Sequence, residues 1–167
     1  MVSVREKIYA EMENIATVLT ELEKVKDRSH KELVVLVGIG AYLQNIYSGM
    51  ENILKQLLLH KSIPIPDTPT WHKDLLNLAV EQNIITNETA GKIGKYLFFR
   101  HFFTHAYGFL LDEEKLEPLM DDIPSVYSEF KGEIDDYLTK VLQETRTDQS
   151  EGDGSGDKKR ERCGNCF

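Results

Sequence analysis

Between Val4 and about Arg28 the apolar residues Ile8, Met12, Ile15, Val18, Leu19, Leu22 and Val25 recur at i, i+3, i+4 and i+7, with Glu and Lys between them. That period predicts an amphipathic helix of about six turns. Ser29, with Glu32 three residues on, fits an N-cap and capping box for the next helix. The next pattern runs from Lys31 to about Lys61. It opens with Leu33-Val34-Val35-Leu36-Val37, a β-branched run that alone could be a strand, and continues through Tyr42, Ile46, Met50, Ile53, Leu54 and Leu57. A 3.6-residue period held over about thirty residues decides for helix. Gly38, Gly40 and Gly49 lie inside it. Each costs about 1 kcal/mol relative to Ala, so they are expected where a neighbouring helix or subunit comes close.

The segment from Ser62 to Thr70 contains Pro64, Pro66 and Pro69 and is expected as a stiff, extended loop. Trp71 to Val80 reads as a short helix capped by Thr70. Thr86 with Thr89, or Asn87, opens a fourth helix reaching Gly108 or Leu111. A fifth runs from about Asp112 to Thr145, on a stripe of Val126, Phe130, Ile134, Tyr137, Leu138 and Val141. Pro118 and Pro124 lie near its start, and Pro124 is expected to kink it or split off its first turns. Residues 148–162 hold no large apolar side chain, so a polar, disordered tail is expected over 146–167 and a helical domain over 1–145. The pattern predicts an all-α protein, a mostly antiparallel bundle of about five helices.

Composition narrows the class. With 167 residues the chain can build a core without disulfides or metal. Cys163 and Cys166 lie in the last five positions and cannot staple the body, which suits a reducing cytosol. As a lone CxxC they complete no tetrahedral zinc site. The N-terminus opens directly into a charged amphipathic pattern and no uninterrupted apolar run approaches membrane-spanning length, so a cytoplasmic protein is expected. The net charge of −8 argues against a global nucleic-acid binder. Yet Thr89 to Leu111 contains no acidic residue while holding Lys92, Lys95, Arg100, His101 and His105, a local cationic island that could draw a small anion or a short nucleic-acid backbone.

The chemistry concentrates in Tyr96–Phe109, where an arginine, two histidines and a tyrosine interrupt five phenylalanines. At about 100° per residue, and with Arg100 at zero, Thr104 falls near +40°, Tyr107 near −20°, His101 near +100° and His105 near +140°. Phe99, Phe102, Phe103, Ala106, Phe109 and Leu110 occupy roughly the opposite arc, from −60° to −180°. Arg100 and His105 are thus about 140° apart on an ideal helix, too far round to grip one small group unaided. Either the helix departs from ideality, or a second copy supplies the other half of a shared cleft in a two-fold dimer.

Arg100, His105 and Tyr107 read Arg-x4-His-x-Tyr. With the all-helical body, their place near the end of the fourth helix and Trp71-His72-Lys73-Asp74-Leu75-Leu76 before it, they resemble the HEPN superfamily, specifically the HepT-like toxins of MNT/HEPN toxin–antitoxin pairs. The resemblance covers about residues 1 to 145. It implies a metal-independent endoribonuclease, without cofactor, working as a homodimer. Arg100 and His105 would be the catalytic pair. Tyr107 would be the tyrosine that the partner nucleotidyltransferase antitoxin adenylylates. Where the family most often carries Asn or Asp after the arginine, this chain has His101, which enters the expected site as a helper in phosphate binding or proton transfer. Which RNA is cut, tRNA or mRNA, is not written in such a cleft.

Other readings stand beside this one. An arginine and a tyrosine on one helix face also fit a solvated edge. His101 and His105 have the i, i+4 spacing of a helical metal pair, but no acidic residue lies beside them to extend it. His30, His60 and His72 read as surface or packing histidines, and Glu81, Glu113 and Glu114 as surface carboxylates. A non-catalytic helical dimer that binds nucleotide, or docks onto a nucleotidyltransferase, is the competing class.

Overall fold

The computed structural model describes residues 3–29, 31–105 and 111–150, with side chains through 141. Five helices follow in order: α1 (Val4–Lys26), α2 (Leu33–His60), α3 (Trp71–Glu81), α4 (Asn87–His105) and α5 (Glu113–Ser150). No strand occurs among the described residues, so the chain is all-α as the periodicity predicts. α1 starts with a capping box: Ser3 Oγ accepts from Glu6 N–H at 3.2 Å, and Ser3 N–H donates to the Glu6 carboxylate at 2.7 Å.

α2 is the central post and touches the other four helices. By length and composition alone it could cross a membrane. Here it is the core helix, burying Ile39, Leu43, Ile46, Tyr47, Met50, Ile53, Leu54 and Leu58 against its neighbours. Its pairing with α1 runs antiparallel. Glu11 reaches Asn52 while Ile15 packs on Gly49, so α1 descends as α2 rises. Between α4 and α5, Tyr96 donates to Leu119 O, Lys92 pairs with Glu129, and Thr89 donates to Glu133, again in opposite order.

Two of the three α2 glycines meet the close approach expected of them. A Cβ at Gly40 would fall 2.5 Å from the Phe103 ring, and one at Gly49 would fall 2.7 Å from Ile15. Gly38 faces nothing within 4 Å. The Gly40–Phe103 contact seats the end of α4 on the first half of α2 and so fixes where the seam around Arg100 lies.

Two expectations need correction. Ser29 does not cap α2, which begins at Leu33 with Glu32 at the N-cap and no side-chain cap bond. The reason is Lys31, which is only 4% exposed: its ammonium meets Glu113 at 2.9 Å and Arg28 O at 3.2 Å. Drawing Lys31 inward leaves Glu32 extended and starts the helix late. Glu113 is accordingly the anchor of a buried cation and more than a surface carboxylate. Second, of the two outcomes expected at Pro124, a kink or a split, the split does not occur: α5 is a single helix with Pro118 and Pro124 inside it. Both prolines are exposed, so their rings sit on the solvent side of the helix. The apolar face of Leu116, Met120, Ile123, Tyr127, Phe130 and Ile134 continues past both of them into the core.

The fourth helix starts as expected, with Thr86 Oγ1 accepting from Thr89 N–H at 3.2 Å. α5 runs to Ser150, beyond the expected boundary near 145. The rest of the expected tail, including Cys163 and Cys166, lies outside the described residues.

Candidate functional site

Glu51 places a carboxylate in the apolar stripe of α2, where it is 5% exposed. A charge there is costly unless fully partnered. Three donors meet it: Tyr47 Oη on Oε2 at 2.7 Å, Lys55 Nζ on Oε1 at 3.2 Å, and His72 Nδ1 on Oε2 through a short contact. Burial, reinforced by the Glu51 charge and the bond to it, pushes the Tyr47 phenol well above its ordinary range, with Arg100 opposing. Tyr47 therefore stays a neutral donor.

α3 contributes His72 from its first turn. Trp71 stacks on the His72 ring at 3.6 Å, and the Lys55 ammonium sits 3.9 Å from the centre of the Trp71 ring. From α4, Arg100 Nη1 lies 3.0 Å from His72 Nε2. Arginine has no acceptor, so His72 Nε2 must accept; Nδ1 then carries the proton and donates it to Glu51. The order of donation is fixed from Arg100 through neutral His72 to Glu51. Arg100 Nε is sealed from solvent with no hydrogen-bond partner, a state that costs about 1–3 kcal/mol in a folded protein.

The rest of the seam is different in kind. His101 and His105 are both exposed, with ring centres 4.7 Å apart. Thr104 spends its hydroxyl on Arg100 O at 2.8 Å. Among the described residues no bond joins Arg100 to His105, and no three His, Cys, Asp or Glu side chains converge as a metal site would require. Tyr107 lies outside the described residues. The apolar arc is only partly covered: Phe99 is buried and Phe103 packs on the core, while Phe102 is 38% exposed; Phe98, on the His105 side of the helix, is 77% exposed. Phe98 and Phe102 border a groove of about 720 Å³ between α4 and the start of α5, with Lys95 and Lys115 at its edge. The cationic island is also smaller than the sequence suggests, because Lys92 is paired with Glu88 at 2.9 Å and Glu129 at 2.6 Å.

Sequence reasoning placed Arg100 in the site and left His72 among the packing histidines. His72 does pack, on Trp71, and it also bonds directly to Arg100. Glu51, Tyr47 and Lys55 were missed altogether. One signal for Glu51 was available: a carboxylate four residues after Tyr47, within the stripe of Met50, Ile53 and Leu54.

The described residues form an all-helical bundle with Arg100, His101 and His105 in the last turns of α4. The family described as HepT-like protein matches residues 38–141, from within α2 to far along α5. The chain belongs to that family, whose members are HEPN-type toxins. Among solved structures, one described as YutE from Bacillus subtilis, a cytosolic protein of unknown function, aligns with a TM-score of 0.66. The alignment covers 83% of this chain and 92% of that one at 15% identity, so the likeness shows the fold alone. No curated protein matches the sequence.

Proposed function

We propose that this protein is the toxin of a toxin–antitoxin pair and a metal-independent endoribonuclease, with Arg100 and His105 as its catalytic residues. The observation that carries the reading is the guanidinium of Arg100, held from α3, on the same helix as the exposed His101 beside it in sequence and the exposed His105 just over one turn on. Family membership supports the same class.

The chemistry follows from those groups. An RNA 2′-hydroxyl loses its proton as its oxygen attacks the adjacent phosphorus; the bond to the 5′-oxygen breaks, and that oxygen gains a proton. An imidazole moves protons in both directions near neutral pH, which suits His105 to one of these transfers. Arg100, permanently charged, stabilises the negative charge that builds on the phosphate oxygens. His101, its ring 4.7 Å from that of His105 and tilted 60° to it, assists at the same phosphate or in the proton transfer. Because the two catalytic groups are not joined within one chain, the working form is a homodimer in which two seams share a cleft.

Tyr107 is the control point in this reading. Adenylylation by a partner nucleotidyltransferase would set a bulky anion two residues from His105, blocking the cleft and repelling RNA phosphates. The setting is cytoplasmic. Mass spectrometry after co-expression with the cognate nucleotidyltransferase should find added AMP on the wild-type chain and none on Tyr107→Phe. AMP mapping to another residue would remove Tyr107 from the account.

A second reading is favoured by the apolar groove and the 77% exposure of Phe98. On that reading the chain is a non-catalytic dimer that binds nucleotide or docks onto the nucleotidyltransferase. A gel assay of purified protein on total RNA separates the two: intact RNA at high protein concentration favours docking.

A further inference from the structure

Glu51 and His72 lie outside the Arg-x4-His-x-Tyr seam, on two other helices, yet their bonds end on its arginine. We propose that Glu51 and His72 are positioning residues that hold the Arg100 guanidinium for phosphate, acting as a Glu51–His72–Arg100 relay across α2, α3 and α4. The proposal rests on the reading that Arg100 meets an RNA phosphate.

Three features argue for a held guanidinium over ordinary polar packing. First, the His72 ring is held at both nitrogens and on one face: Nδ1 donates to Glu51, Nε2 accepts from Arg100, and Trp71 stacks on the ring at 3.6 Å. Second, the Glu51 carboxylate is satisfied by Tyr47 and Lys55 within its own helix, and it still takes the His72 proton. A carboxylate meant only to satisfy Tyr47 and Lys55 has no need of an imidazole leading to a fourth group. The bond from Glu51 also selects the tautomer, because only a bare Nε2 can accept from an arginine. Third, one Arg100 donor remains without any partner in a buried position. An arginine placed for stability alone would have that donor satisfied. The arrangement fixes one Nη1 bond and a single orientation of a side chain that otherwise has many rotamers, so the charge is in place before substrate arrives.

Neither residue touches substrate in this scheme. Their effect is expected in kcat, with little change in the KM for RNA, because a loosened Arg100 loses its aim at the developing charge more than its attraction to the backbone.

The test uses full-length protein and two substitutions at one position. In His72→Gln the amide oxygen reaches the Nε2 position and can still accept from Arg100. In His72→Asn the amide nitrogen sits near the Nδ1 position and can still donate to Glu51, with nothing left for Arg100. The expected order of kcat is wild type, then His72→Gln, then His72→Asn, with the last lowered about 10²-fold, KM within about twofold, and folding unchanged by circular dichroism. Equal kcat in all three would overturn the proposal, as would a loss confined to KM.

Long-range proton–nitrogen correlation of ring-labelled histidine supplies a readout that does not depend on cleavage. His72 should appear as the neutral Nδ1–H tautomer in wild type and lose that single form in Arg100→Ala. An imidazolium, or the Nε2–H tautomer, would overturn the relay. If wild-type protein cuts no RNA, the ribonuclease reading fails, and the tautomer spectrum alone still decides whether His72 holds Arg100.

Discussion

The two ends of the polar seam on α4 are built in opposite ways. Arg100 is tied inward, through His72 to a carboxylate that is 5% exposed, with tyrosine, lysine and tryptophan packed around the chain of bonds. His101, the next residue, and His105, just over one turn further on, face solvent with their ring centres 4.7 Å apart. The contrast matches what each group has to do. A charge-stabilising guanidinium works best when preorganised in a low-dielectric surrounding, where no reorganisation is needed as the reaction proceeds. A proton-transfer imidazole needs access to substrate and to water to be reset. Rigidity and exposure are thus divided between residues only a few positions apart.

That division can be broken first through stability. Glu51→Ala removes the carboxylate and leaves Tyr47 Oη, His72 Nδ1–H and Lys55 Nζ without their acceptor. It should destabilise the protein by about 3–5 kcal/mol in urea unfolding, the range for breaking a buried charge pair. His105→Ala, at an exposed position, should stay within about 0.5 kcal/mol. Similar losses for the two variants would erase the distinction between a built end and a free end.

A smaller effect should appear at high pH. Burial, with Asp135 adding to it, pushes the Tyr127 phenol up from 10.0 to about 12, and its hydroxyl donates to Met12 O at 3.1 Å. Tyr47 and Tyr96 are raised further, both mainly by burial. A phenol with a raised folded pKa keeps its proton longer in the native state than in the unfolded one. Its contribution is therefore complete below pH 10.0 and is lost as pH climbs through about 12. Unfolding free energy should fall across that window in wild type and fall less steeply in Tyr127→Phe. A flat profile would mean that the core around Tyr127 is wetter than its burial indicates.

The fold was largely legible because helices announce themselves locally. Ile8 to Val25 and Leu33 to Leu57 carry their period on the sequence, the three prolines of 62–70 mark a loop, and Thr86 with Thr89 marks a helix start. What escaped depended on tertiary contacts. Ser29 and Glu32 fit a capping box, but the pull of Glu113 on Lys31 across 82 residues overrode it. The prolines of α5 read as breaks, but the apolar face they sit opposite is continuous. In the site, Arg100 was legible as an unusual charge in an aromatic helix. Its partners were not, because Glu51 and His72 are 21 residues apart, and His72 and Arg100 are 28 apart. No local period connects such positions; only the packing of α3 between α2 and α4 does.

The central claim is that Arg100 and His105 cleave RNA without metal. Purified wild-type protein, Arg100→Ala and His105→Ala should be compared on total RNA in excess EDTA, with folding of each checked by circular dichroism. Wild type should cut and each variant should fall by about 10²–10³-fold or more, the loss expected when a charge-stabilising or proton-transfer group is removed. Cleavage by either folded variant at the wild-type rate, or wild-type activity that vanishes in EDTA and returns with zinc, would contradict the account.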